Sequence, residues 1–192
     1  NDQVAVYFEA GATAGFDPGF DAPKLTAGHG VLTDADLRSA SLVDADDVAA
    51  LLSEMGYPCD VDDAARRISA IVDNDRQALV VARCDGVVCG LLALDFMYYL
   101  PLGTTTCRIT ALVVRNDAQG RGLGRRLLKE AERRARFGGA ARLEITSGSQ
   151  RSDAHAFYKA CGYSDGTLRF IKRLGVKCQS PEQPIRELSG GN

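Results

Sequence analysis

The run Ile109-Thr110-Ala111-Leu112-Val113-Val114-Arg115-Asn116-Asp117-Ala118-Gln119-Gly120-Arg121-Gly122-Leu123-Gly124-Arg125-Arg126 decides how this chain is read. It predicts a strand, a glycine-rich turn and the start of a helix. Glycines at three alternate positions leave the backbone N–H groups uncovered, so an anion can come close. The helix start adds further unpaired N–H groups and the positive end of the dipole. Arg121, Arg125 and Arg126 add charge of the same sign. On these grounds the turn is a cradle for a phosphate or diphosphate; the alternative is a tight strand-to-helix connection with no ligand. A Walker A loop would close on Gly-Lys-Ser/Thr, and this one ends Gly-Leu-Gly-Arg. A Rossmann turn needs G-x-G-x-x-G early in a βαβ unit. Here the spacing is G-x-G-x-G, behind two strands joined as a hairpin.

Outward from the turn the elements alternate regularly. Upstream, Arg38–Leu42 reads as a short strand, and Asp44 caps a helix to about Met55 that carries Val48, Leu51 and Leu52 on one face. Gly56-Tyr57-Pro58 breaks it. A second helix spans about Asp62 to Asp73. Gln77–Arg83 and Val87–Phe96 are strands joined across Asp85-Gly86, a hairpin signal, and Thr106–Val114 is the next strand. Downstream come a helix over Leu123–Phe137, a strand over Arg142–Thr146, a helix over Asp153–Cys161 and a closing strand over Leu168–Leu174. The order predicts an α/β fold, a mixed sheet with helices on both faces. Residues 1–36 form a leader, either flexible or an extra strand where Val4, Val6 and Phe8 alternate with other residues. Residues 37–175 form the domain and 176–192 a polar tail.

A second motif lies on the last helix: Ala154-His155-Ala156-Phe157-Tyr158-Lys159-Ala160-Cys161-Gly162-Tyr163. Together, Gln119-x-x-Gly122-x-Gly124 behind a strand and this A-x-x-F-Y-x-x-x-G-Y helix resemble the GNAT superfamily of N-acetyltransferases, over about residues 38 to 174. The resemblance implies a mostly antiparallel sheet split between its central strands, with acetyl-CoA as co-substrate. In such a fold the strand Leu112, Val113 and Val114 pairs with the pantetheine arm. The turn residues Gln119, Gly120, Arg121, Gly122, Leu123, Gly124 and Arg125 hold the diphosphate through N–H groups. A main-chain N–H near Val113 polarises the thioester carbonyl. Tyr158 matches the family's tyrosine acid, placed beside the departing thiolate and also a cofactor contact. A phenol near pKa 10 is a weaker acid than a thiol near 8.5, so a hydrogen bond or concerted donation is the expected form.

Two positions depart from the family pattern. Arg108 stands where many relatives carry a glutamate base, and Arg151 where many carry asparagine. Asp95 and Glu144 are therefore the leading base candidates, with Glu54 or a water relay as alternatives. By the same resemblance, Glu54, Tyr57, Asp60, Asp95, Tyr98 and Tyr99 are placed around the acceptor, with Met55, Cys59, Asp62 and Phe96 nearby. Carboxylates and tyrosines suit a cationic, hydroxylated primary amine, an aminoglycoside being the first expectation. Other small amines, amino acids, protein N-termini or a non-catalytic acyl-CoA-binding role are the alternatives.

Composition narrows the partners. A formal net charge of -2 over 192 residues gives no footing for nucleic acid or an anionic membrane, and no apolar run is long enough to span a bilayer. Six cysteines without a C-x-x-C pair, and only two histidines, far apart, argue against a metal site. Cys84, Cys89, Cys107 and Cys161 read as small core residues of a reduced, cytoplasmic protein; a homodimer is possible.

Overall fold

The computed structural model describes residues 3–9 and 36–168. Among them, seven strands form one sheet in the order β2-β3-β4-β5-β6-β1-β7. The strands are β1 (Gln3–Glu9), β2 (Asp36–Ser39), β3 (Gln77–Cys84), β4 (Val87–Tyr99), β5 (Thr104–Val114), β6 (Ala140–Gly148) and β7 (Ser164–Leu168). Every described pairing is antiparallel except β5 with β6. The helices are α1 (Ala45–Glu54), α2 (Val61–Val72), α3 (Leu123–Phe137) and α4 (Ser152–Ala160). No helix among the described residues is long and apolar enough to cross a membrane.

Two apolar layers hold the helices to opposite faces. Strand residues alternate sides, so Leu79, Val81, Leu91 and Ala93 meet Val48, Leu51, Ala64 and Ile68 of α1 and α2. Their neighbours Val80, Leu92, Leu94, Cys107 and Ile109 meet Leu123, Leu127, Leu128 and Ala131 of α3, with Ala154 and Tyr158 of α4 in the same layer. In α3 the buried positions recur at helical spacing. Its exposed side carries Glu130 paired with Arg133 and Arg134 at 2.7 Å. These guanidiniums, Arg133 foremost, hold the Glu130 carboxyl down at about 2.

Several boundaries differ from the sequence reading. Leu42, expected to end β2, begins a 3-10 turn. The cause is Asp44, whose carboxylate accepts the Ser41 N–H at 2.9 Å and both Arg38 Nη groups at 2.8 and 2.6 Å, bending the chain before α1. Asp60 caps α2, accepting the Asp63 N–H at 2.7 Å. The last described strand begins at Ser164, before the expected Leu168; the rest of that expected strand and the tail lie outside the described residues. The alternation at Val4, Val6 and Phe8 is realised as β1, inserted between β6 and β7. Cys84 and Cys89 are buried as expected but are joined by a disulfide, not reduced as expected. Asp85 and Gly86, both at positive φ, fold the hairpin back, and a register shift between Ala82 and Arg83 makes Cys89 the extra residue opposite that pair, while Cys84 faces Val87.

Candidate active site

β5 and β6 run together from Thr105↔Ala140 to Ile109↔Ile145 and then part. Beyond that point the two strands are no longer paired with each other. At the same place β5 carries a bulge: Ala93 faces Ala111 and Leu94 faces Ile109, leaving Thr110 as the extra residue. The gap opens into a continuous cleft, a diphosphate-sized end of about 360 Å³ and a second end of about 640 Å³. Leu112, Arg151 and Tyr158 border both.

Register decides which backbone groups face the gap. The Arg115 N–H donates to the Cys89 carbonyl at 2.9 Å. In an antiparallel ladder alternate residues turn their backbone groups to the same neighbour. Val113 therefore bonds toward β4, while Leu112 and Val114 turn toward the gap. The Val113 N–H, expected to polarise a carbonyl, is thus directed at β4, and the neighbouring Leu112 N–H is the one that faces the gap. The Val114 carbonyl is already engaged, accepting from Gln119 Nε2 at 3.0 Å.

The turn has the form of an open cradle. Gly120 and Gly122 take φ of 73° and 81°, the left-handed region in which glycine carries no steric cost. A Cβ at either would meet nothing within 4 Å, so space lies in front of both. The first helical bond is Arg126 N–H to the Gly122 carbonyl at 3.2 Å. The N–H groups of Gly120 through Arg125 donate to no backbone carbonyl among the described residues. Gln119 differs from the expectation: its N–H goes to the Asn116 carbonyl at 3.4 Å, and its side chain ties the turn to β5. Its bonds shape the turn. Gly124 has a third reason to be glycine, because a Cβ there would come within 3.2 Å of the Phe157 ring. α3 thus seats against α4, and Tyr158 is carried to the cleft. Only 6% of Tyr158 is exposed, and burial raises its pKa above the ordinary phenol value, partly offset by Arg151. It stays protonated and able to donate across the neutral range.

At the larger end, a row of polar side chains crosses four strands in register: Gln77, Asp95, Arg108 and Glu144. Asp95 accepts from Gln77 Nε2 at 3.2 Å and borders the cleft. Arg108 donates to Glu144 Oε2 at 3.0 and 3.3 Å. Arg142 lies 2.9 Å from the other Glu144 oxygen. Glu144, only 2% exposed and held by two guanidiniums, does not border the cleft and is not placed to take a proton from a ligand. Of the two leading base candidates, Asp95 is the one at the cleft.

The other expected acceptor residues divide. Tyr57 and Met55 border the larger end. Glu54 instead accepts the Asn116 N–H at 3.1 Å, bracing the turn after β5. Asp60 is spent on capping α2. Tyr98, with Phe96, borders a separate hollow of about 700 Å³ beside the end of α3. None of Leu112, Arg151 and Tyr158, which border the cleft, lines that hollow. Tyr99 lies under the Arg142 guanidinium, 4.2 Å from its ring centre. The sequence reading missed Arg67, Ser147 and Gln150, all at the cleft. Ser147 is 7% exposed and its hydroxyl has no hydrogen-bond partner among the described residues. Arg67 adjoins the buried Ile68, so its place at the edge of the apolar stripe of α2 was the available signal.

Comparison with known proteins agrees with this geometry. Residues 45–163 match the model of the acetyltransferase (GNAT) family. The aminoalkylphosphonate N-acetyltransferase of Salmonella typhimurium is 32% identical over 147 residues, covering 75% of this chain and 94% of that protein. A GNAT family acetyltransferase from Staphylococcus aureus superposes with a TM-score of 0.64 at 22% identity, covering 73% of this chain and 98% of its own. AAC(6')-Iy, in complex with the bisubstrate analogue CoA-S-monomethyl-acetylneamine, superposes with a TM-score of 0.65 at 16% identity, covering 74% and 100%. At these identities the two structures speak for the fold.

Proposed function

This chain belongs to the acetyltransferase (GNAT) family and is an acetyl-CoA-dependent N-acetyltransferase; from that premise we propose that its acceptor is a short primary amine carrying an oxyanion, an aminoalkylphosphonate before others. One observation carries the reading: the acceptor end of the cleft is lined by Arg67, Arg108 and Arg151, with Asp95 as the carboxylate in its lining, while Asp63, Glu144 and Asp153, which pair with these guanidiniums, lie outside that lining. Guanidiniums bind phosphonate and carboxylate through charge-assisted hydrogen bonds. A polycationic acceptor, the aminoglycoside expected from sequence, would have to displace or repel them. The name of the Salmonella relative points the same way. Ser147 supports it too, since a buried hydroxyl without a partner is a donor waiting for an acceptor oxygen.

The residues divide the work as follows. Acetyl-CoA supplies the acetyl group as a thioester. The free N–H groups of Gly120 through Arg125 hold its diphosphate, and the backbone of Leu112 and Val114 lines its arm. Asp95 takes the proton that an ammonium near pKa 10 must lose to become a nucleophile. The Leu112 N–H, fixed before the reaction, faces the carbonyl oxygen as negative charge develops on it. As the C–N bond forms and the C–S bond breaks, Tyr158 donates its O–H to the departing sulfur; the second proton lost by the acylated nitrogen leaves through water and restores the phenol, while Asp95 returns its own proton to solvent.

The test is thiol release from acetyl-CoA with a panel of amines: aminoalkylphosphonates, amino acids of matching length, aminoglycosides and plain alkylamines. The reading requires the highest kcat/KM among oxyanion-bearing amines. A preference for aminoglycosides would overturn it.

A further inference from the structure

Asp95 and Arg108 are paired in register on β4 and β5, and directly opposed side chains on adjacent strands sit about 4.5–5.5 Å apart at Cβ. Left alone, these two opposite charges would join and cancel. They do not: Arg108 forms its ion pair with Glu144 on its other side, at 3.0 Å, and among the described residues the hydrogen-bond partner of Asp95 is the neutral amide of Gln77. We propose that Glu144 is a positioning residue that keeps Arg108 away from Asp95, leaving one as the anchor for the acceptor's oxyanion and the other as the acceptor of its amine proton. The inference deepens the function proposed above and rests on it.

Three features support the role. Glu144 is fully enclosed, so its charge is spent on its partners and not on solvent. Arg142 holds its second oxygen while lying on Tyr99, and Arg142 Nε donates to Thr106 Oγ1 at 3.1 Å, which fixes the carboxylate from behind. Arg108 uses Nε and one Nη on Glu144, and its other Nη makes no ion pair or hydrogen bond among the described residues. Its side chain is 27% exposed at the cleft. A carboxylate and an anchored guanidinium on paired positions of adjacent strands then suit an amine and an oxyanion separated by a short chain. This arrangement favours zwitterions over plain amines of equal length.

The experiment uses the full chain with aminoethylphosphonate, β-alanine and propylamine as acceptors, and Glu144→Gln, Glu144→Asp, Arg108→Gln and the Glu144→Gln/Arg108→Gln double variant. A hydrogen bond to a charged group is worth about 1.5–3 kcal/mol. Arg108→Gln should therefore raise KM for aminoethylphosphonate by ~10-fold or more, and much less for propylamine. The β-alanine arm tells whether phosphonate or carboxylate is preferred. Glu144→Gln should harm even propylamine, because Arg108 now turns onto Asp95 and masks the base. The double variant, which removes the masking guanidinium, should turn propylamine over faster than Glu144→Gln alone, and Glu144→Asp should recover most of the loss. Acetyl-CoA affinity should be the same throughout. A crystal structure of Glu144→Gln should place the Arg108 guanidinium within ion-pair distance of Asp95. Arg108 found unmoved there, or a double variant no better than Glu144→Gln, would overturn the inference. The wild-type acceptor panel separately decides the function on which it rests.

Discussion

At Gly122 two requirements meet in one residue: a φ of 81° and an N–H that must reach an anion. They can be separated by substitution. Asparagine and aspartate are the side chains that tolerate the left-handed region best, and neither would collide with the protein, since nothing lies within 4 Å of the added Cβ. Gly122→Asn should therefore bind acetyl-CoA with only a few-fold loss. Gly122→Asp adds a negative charge facing the diphosphate and should weaken it by at least ~10-fold, relieved by salt. Titration calorimetry reads both, and equal affinities would move the cradle elsewhere. Tyr158 is tested by a different contrast. Tyr158→Phe keeps the ring in its apolar seat and should spare acetyl-CoA affinity while lowering kcat by ~10- to 100-fold. Because burial raises the Tyr158 pKa, wild-type kcat should hold its plateau past pH 10 before phenol ionisation removes the donor. The place of Tyr158 at the cleft was readable from its motif. That Leu112 and not Val113 turns its backbone to the gap was not: it depends on how β5 pairs with β4, through the Arg115–Cys89 bond and the bulge at Thr110 opposite Ala93 and Leu94.

Elements show the same division between local and distant causes. The α3 span, Leu123–Phe137, follows from its own apolar spacing and was anticipated to the residue. The end of β2 was not, because a carboxylate six residues on captures Arg38 and the Ser41 N–H, contacts that periodicity does not report. Glu144 misled for a related reason. In Arg142-Leu143-Glu144-Ile145 the alternation puts the charged residues on the outer face of a strand, and only the three-dimensional neighbours Arg108 and Arg142 show that this face is buried and paired. The Arg38–Asp44 pair can be weighed by pH. Arg38, with smaller help from Ser41, holds the Asp44 carboxyl below its usual value. A depressed carboxylate adds stability above the unfolded pKa, near 4, and loses it as pH falls through the folded value. Asp44→Asn should thus lower the melting temperature by several degrees at pH 7, for about 1–2 kcal/mol. The gap to wild type should narrow steadily below pH 4. A gap that stayed constant from pH 7 to pH 2 would mean the ion pair contributes nothing.

Across the whole molecule, the cleft needs two braced walls; both wall strands, β5 and β6, belong to the stretch shared with the family model, but the strand that braces β6 does not. β5 is braced along its open half by β4. β6, after it leaves β5 at Ile145, is braced by β1: Thr146, Ser147 and Gly148 pair with Ala5, Val4 and Gln3. β1 lies outside residues 45–163, and on sequence alone it could equally have been a loose leader. Its position between β6 and β7 makes it a structural part of the site. Without it, the last three residues of β6 would lose their backbone partners on both sides, and unpaired backbone groups in a sheet are costly. Ser147 would lose its fixed place at the acceptor end, and Arg151 and Tyr158, which follow on α4, would lose the strand that leads into them. Deletion of residues 1–9 should therefore lower the melting temperature and raise KM for the acceptor by more than it weakens acetyl-CoA, since the Gly120–Arg125 cradle hangs from β5 and not from β6. Melting curves with and without acetyl-CoA, together with thiol-release kinetics, separate the effects. A truncated chain that melts and turns over like the full one would show that β6 holds the acceptor wall unaided.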